Sequence, residues 1–258
     1  MRQGLWDRET VALLILAAFL PMVLVWLYDG AVPAAVRLAF VLIVLGLWHL
    51  VFMLARAQPP SVAGALTAVA VAMLAPTELS VLQLVLGISF GSVVAELVFG
   101  GWGRNVLNPA TVTLAFLGFG FPAAPWPEMA LPVGWAALPA LALGLLFGVM
   151  AVRLVTGALL TLALVSWAGL LPAPALPAAG IVLALLVADP VTSASTKLGG
   201  WLNGALYGLL VALFASQWQG AAPVQVAVSA ALLASLAAPL FDELAIALWT
   251  LRRRNRHG

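Results

Sequence analysis

Two short runs of small polar residues interrupt an otherwise apolar chain, and they carry most of its capacity for chemistry. The first is Phe99-Gly100-Gly101-Trp102-Gly103-Arg104-Asn105-Val106-Leu107-Asn108-Pro109-Ala110. The second is Ala188-Asp189-Pro190-Val191-Thr192-Ser193-Ala194-Ser195-Thr196-Lys197-Leu198-Gly199-Gly200. Each sets an N-cap residue ahead of a proline, Asn108-Pro109 and Asp189-Pro190. That pairing favours a helix start, because the side chain accepts from free backbone N–H groups and proline presets φ. A helix starting at each run would point unpaired N–H groups at whatever lies there. Such ends attract a phosphate, a carbonyl or a reduced isoalloxazine. Asn105, Asn108, Thr192, Ser193 and Ser195 add side-chain donors and acceptors. The plainer alternative is that these residues cap helices and shape loops, and bind nothing.

Single ionisable residues are the other candidates. Glu96 lies one turn before Gly100 inside an apolar stretch, and a carboxylate so placed is a candidate for ion or proton handling. The bland reading makes it a partner for Arg104 or a group reaching the inner headgroups. Asp242 and Glu243 end the last apolar stretch if it closes near 241, and lie deeper if the helix runs on to Thr250. His49 stands alone in a Leu-rich stretch and reads as a core histidine. No Ser/His/Asp order, Gly-rich phosphate loop or metal-ligand spacing is present, so no hydrolytic chemistry is expected.

The elements that position these residues follow from composition. Of 258 residues, 64% are hydrophobic and 8% charged, with 11 Lys+Arg and 9 Asp+Glu, whereas soluble domains are about a quarter charged. Residues 10–28, 57–77, 105–127, 129–152, 154–188 and 198–241 contain no charge, and about 20 apolar residues cross a bilayer. The chain therefore reads as an all-α integral membrane protein forming a single membrane domain over 1–258. Pro, Gly and charge divide it into ten spans, near 10–28, 33–55, 61–76, 80–99, 106–121, 133–152, 154–171, 177–188, 200–216 and 223–241. The start does not read as a cleavable signal. The absence of Cys, with only two His, excludes Fe–S clusters and haem from this chain alone. The basic pI speaks to membrane orientation, not to nucleic acid.

The polar runs occupy matching places in two five-span halves, about 10–121 and 133–250, ahead of a basic tail at 252–258. An odd number of spans per half makes the halves inverted repeats, with a site at their interface. If both termini are cytoplasmic, Arg2, Arg8, Arg56, Arg104, Arg153, Lys197, Arg252, Arg253, Arg254 and Arg256 lie inside and Arg37 alone outside. That split obeys the positive-inside rule and predicts a multi-pass protein of a bacterial-type inner membrane.

The stretch from Leu86-Gly87-Ile88-Ser89-Phe90-Gly91 through the first polar run resembles the NqrB/RnfD family. Its members are membrane components of the sodium-translocating NADH:quinone oxidoreductase and of the paralogous Rnf complex. The Ala188–Ser195 run carries a second signature of that family, and Ala238-Pro239-Leu240-Phe241-Asp242, followed by the Arg252-Arg253-Arg254 cluster, a third. The resemblance implies a urea-channel-like fold of ten helices in inverted repeats. It also implies a non-covalent flavin, riboflavin or FMN, bound through Asn105, Asn108, Asp189, Thr192 and Ser193, with Asp242 a candidate for ion coupling. Implied partners are other membrane and cytoplasmic redox subunits, including a flavin-reductase-like one, and quinone or an outer-side flavoprotein. One departure is plain: the family esterifies FMN to a Thr after the fifth span, and here no Ser or Thr lies between Thr113 and Thr156. A phosphoester needs a hydroxyl, so covalent FMN is not expected, and neither is the long N-terminal extension typical of NqrB.

The leading expectation is a membrane electron-transfer subunit with a flavin at the repeat interface, coupled to Na+ or H+ movement. The alternatives are a redox-free channel or carrier for a small solute or ion on the same scaffold, and a ligand-free assembly scaffold.

Overall fold

The computed structural model describes residues 7–56 and 61–257 and is built of helices, with no strand among them. The helices are α1 (Arg8–Arg56), α2 (Gly64–Leu74), α3 (Val81–Ala95), α4 (Pro109–Gly120), α5 (Leu131–Leu146), α6 (Val152–Trp167), α7 (Ala175–Val182), α8 (Lys197–Gln217) and α9 (Pro223–His257). A single 3₁₀ turn, Leu97–Phe99, follows α3, and a π turn, Leu183–Val187, follows α7. Arg8–Arg56, Val81–Phe99, Lys197–Gln217 and Pro223–Arg253 are long and apolar enough to cross a bilayer, and α2, α4, α5, α6 and Ala175–Val187 are shorter apolar helices. Large apolar side chains such as Leu24, Leu54, Leu82, Leu164 and Leu240 project outward. In water such a surface would aggregate; against lipid it is the solvated face. The chain is a multi-pass, all-α membrane protein.

Helix α1 is 49 residues long and would measure about 74 Å if straight. It does not run straight. Ala31 adopts φ 45°, ψ −133°, between Pro21 and Pro33, and breaks the helix into two arms. Both ends then reach one loop: Arg8 Nη1 donates to Trp102 O at 2.9 Å, and Arg56 Nη1 to Val98 O at 3.1 Å. The arms therefore run antiparallel. Asp7 Oδ1 caps the first by accepting from Thr10 N at 2.8 Å.

The remaining helices pack through small residues, the usual solution where lipid removes the hydrophobic drive for association. At the α6–α8 crossing a Cβ on Gly204 would meet the backbone at Leu154 O and Ala158 N. Buried polar side chains fasten the neighbours: Asn203 Nδ2 donates to Ala234 O on α9 at 2.6 Å, and Tyr207 Oη to Ala179 O on α7 at 2.8 Å. Elsewhere, Arg37 Nη2 donates to Ala75 O and Pro76 O at 2.6 and 2.8 Å, closing the C-terminal end of α2, where cations are favoured. Thr77 pairs with Pro125, and Trp126 and Trp218 line one small space. Arg37 and these tryptophans mark one end of the bundle. Arg8, Arg56, Arg104, Arg153 and Lys197 lie with the polar runs at the other.

Candidate functional site

The two polar runs meet. Asn108 is the N-cap of α4: its Oδ1 accepts from Ala110 N at 2.9 Å and Thr111 N at 3.3 Å, with Pro109 in the first turn. Its amide Nδ2 reaches across to Asp189 Oδ2 at 3.0 Å. Thr192 Oγ1 donates to the same oxygen at 3.0 Å, and Val191 N donates to Asp189 Oδ1 at 3.1 Å. Asp189 and Thr192 are both buried. One asparagine thus caps a helix and joins the two breaks.

The helix start expected at Asn108-Pro109 is present; the one expected at Asp189-Pro190 is not. Asp189 spends its oxygens on Val191, Thr192 and Asn108, which closes a local turn instead of capping a helix. The next helix begins at Lys197, capped by Thr196, whose Oγ1 accepts from Gly199 N at 3.0 Å. The same Asp-Pro pair serves a turn as readily as a helix, so its spacing could not discriminate.

Asn105 is buried but local: its Oδ1 accepts from Gly103 N at 3.0 Å and its Nδ2 donates to Leu107 O at 3.1 Å, shaping the glycine turn. Ser193 is half-buried and makes no hydrogen bond to this cluster among the described residues. Asp242 lies within α9, which continues through it to His257, so the helix does not end at 241. Its carboxylate accepts from Ser195 N and Oγ at 2.9 and 3.0 Å, and from Thr196 N and Oγ1 at 2.9 and 2.6 Å. These four bonds clip α9 to the start of α8. The expected tail, 252–258, is helical as far as His257.

Glu96 is 1% exposed at the end of α3 and does not pair with Arg104. It faces His49 on α1, with Nε2 and Oε1 3.5 Å apart. His49 is therefore not an isolated core residue. Its pairing crosses between helices far apart in sequence, and no local spacing signals it.

At the Asn108–Asp189 junction lies a cavity of about 20 Å³, lined among others by Phe19, Thr67, Trp102 and Met150. It has room for a water molecule, whereas small-molecule pockets run to about 300–1,000 Å³. The capping N–H groups at Ala110 and Thr111 are taken by Asn108, and those at Ser195 and Thr196 by Asp242. In this arrangement the junction does not accommodate an isoalloxazine. Open clefts of ligand size lie further along the second polar run. One of about 270 Å³ is bordered by Arg153, Ala194 and Thr196; another, of about 440 Å³, lies between the start of α8 and α9, lined by Thr196, Lys197, Leu248, Trp249 and Arg252. No cluster of three or more His, Asp or Glu able to hold a metal occurs among the described residues.

Residues 6–139 match the model of the NQR2, RnfD, RnfE family. NqrB of Klebsiella pneumoniae, from its Na(+)-translocating NADH-quinone reductase, is 43% identical over 83 residues, 32% of this chain and 20% of that protein. The Neisseria meningitidis NqrB is 42% identical over 94 residues, 36% and 23% of the two chains. A longer alignment, with the Stutzerimonas stutzeri NqrB, is 28% identical and covers 85% of this chain and 68% of the relative. The stronger local matches thus span less than a quarter of the curated relatives' length.

Proposed function

The chain belongs to the NQR2, RnfD, RnfE family, and from that premise we propose that it is the membrane subunit of an electron-transport complex related to Na(+)-translocating NADH-quinone reductase. The observation that carries this reading is the family match over residues 6–139; it is supported by the junction of half-buried Asn108 with buried Asp189 and Thr192, a polar assembly kept inside an apolar bundle where it costs stability unless it serves a task. The junction ties together the two breaks that the inverted-repeat reading makes equivalent. The ten-span, two-repeat arrangement is part of the proposal, supported by the break in α1 at Ala31 and by the placing of the breaks after α3 and α7. Both termini are taken as cytoplasmic.

In this role the subunit takes a non-covalent flavin, riboflavin or FMN, close to the joined breaks, and works with other membrane and cytoplasmic redox subunits. The flavin would supply the electron-carrying chemistry. The chain's own residues would order the breaks and shut out lipid. Glu96 and Asp242 are the candidates for coupling to ion movement.

The test is the absorption spectrum of the detergent-purified protein, with acid precipitation. Flavin bands near one equivalent in the acid supernatant are expected, and Asn108→Ala with Asp189→Ala is expected to abolish them. Full retention in that double variant would move the site elsewhere. A well-folded, colourless protein would favour the second reading, a redox-free channel or carrier for a small solute or ion. The cavity at the junction, too small for a flavin, and the lack of any hydroxyl between Thr113 and Thr156 speak for that reading.

A further inference from the structure

We propose that His49 and Glu96 together form a one-proton site inside the membrane domain. The inference deepens the ion-coupling part of the proposed function: it adds His49 as the partner of Glu96 and makes the bound ion a proton.

Hydrogen-bond chemistry leads there. His49 Nδ1 lies 2.9 Å from Leu45 O. A carbonyl oxygen only accepts, so Nδ1 carries hydrogen and Nε2 is the nitrogen that gains or loses a proton. Nε2 faces Glu96 Oε1 at 3.5 Å, and among the described residues neither atom has another hydrogen-bond partner. Glu96 Oε2 is buried and without a partner as well. With no proton between them, two acceptors face each other and an uncompensated carboxylate sits in the interior, a costly state. With two protons, the imidazolium is left unpaired. One proton, on either Nε2 or the carboxyl, leaves the pair with no net charge. Two ligands suffice for a proton, whereas a metal ion needs more ligands than this site offers.

The surroundings hold the pair. Gly64 of α2 lies against the imidazole, so that a Cβ there would come within 2.8 Å of Cε1 and 3.2 Å of Nε2. Glu9, on the first arm of α1, is the other charge acting on His49. Its side chain is 34% exposed, next to Arg8 at 3.5 Å, and accepts from Val62 N at 2.8 Å. Glu96 also acts electrostatically on Asp189, at the joined breaks. Ser92, one turn earlier on α3, adds a buried hydroxyl with no partner.

The experiment uses the full chain in lipid nanodiscs, with ¹⁵N-labelled histidine. The protein has two histidines, and His257→Asn assigns the second signal. At neutral pH, His49 is expected to carry hydrogen on both ring nitrogens, and Glu96→Gln to reduce that fraction about tenfold or more. A neutral ring with an infrared band of a protonated carboxyl that Glu96→Gln removes would place the same proton on the glutamate side and equally support the site. Gly64→Ala, which crowds the ring but keeps both partners, is expected to weaken either signature and serves if Glu96→Gln fails to fold. A neutral ring beside an ionised Glu96, or a His49 spectrum that neither variant changes, overturns the proposal. None of these readouts involves flavin, so failure here leaves the electron-transfer reading to its own test.

Discussion

At the scale of single residues, Asn108 carries two jobs with one side chain, and they can be separated. Asn108→Ala removes the cap of α4, worth about 1 kcal/mol, and deprives buried Asp189 of a donor, worth about 1–3 kcal/mol more. Asn108→Asp restores the cap but sets two carboxylates where one hydrogen bond ran. Thermal unfolding in detergent should rank both variants below wild type at neutral pH. Only Asn108→Asp should recover as pH falls, because a proton on one carboxyl remakes the bridge. Recovery of Asn108→Ala to the same extent would contradict this account. Asn108 could be read from sequence because capping is local: cap, proline and first turn are neighbours. Asp189 was only half readable, since Asp-Pro announces a turn and a helix start alike. Glu96 shows the limit of sequence proximity. Arg104 is near in sequence, but Glu96 closes α3 facing the core, and His49 meets it from another helix.

At the scale of elements, two contacts decide how helices register. Gly204 lets α8 touch the α6 backbone, so Gly204→Leu should force them apart and cost about 1–3 kcal/mol or prevent assembly, visible as lost monodispersity or a lower unfolding temperature. Asp242 fixes α9 against the start of α8 with four hydrogen bonds. Asp242→Ala should speed amide hydrogen exchange at Ser195 and Thr196 and leave α4 unchanged. If exchange there stays slow while ion movement in the assembled complex changes, Asp242 acts on the ion and not as a clip. Composition and charge-free runs were enough to find the apolar helices. The extension of α9 through Asp242 stood only as one of two alternatives, because two acidic residues and the basic run after them also look like an exit from the membrane. In the fold Asp242 is satisfied by the start of α8, and the helix has no cause to stop.

At the scale of the whole molecule, charge sorts the two ends. Among the described residues, Arg37 is bound to the carbonyls at the end of α2, away from the cations gathered near the joined breaks. The chain contains no Cys, so single cysteines report the side directly. In intact cells, a membrane-impermeant maleimide should label Glu78→Cys and Gln219→Cys. It should label Arg104→Cys and Lys197→Cys only after the membrane is opened. The reverse pattern would invert the orientation without altering the fold.

The turn at Ala31 also bears on how the protein is made. Because both arms of α1 start and end on one side, with Arg8 and Arg56 at their feet, the ribosome delivers a complete helical hairpin before any polar break has been synthesised. The hairpin can enter the bilayer as a unit, its basic feet held back, and wait there as a template. Glu96 then emerges to find His49 already in place, so its carboxyl need not stay long in lipid without a partner. Ala31→Gly would relieve the unfavourable positive φ of alanine, a strain of about 1–3 kcal/mol, and should tighten the hairpin; a helix-favouring repair of the turn should instead delay or misdirect insertion of everything that follows.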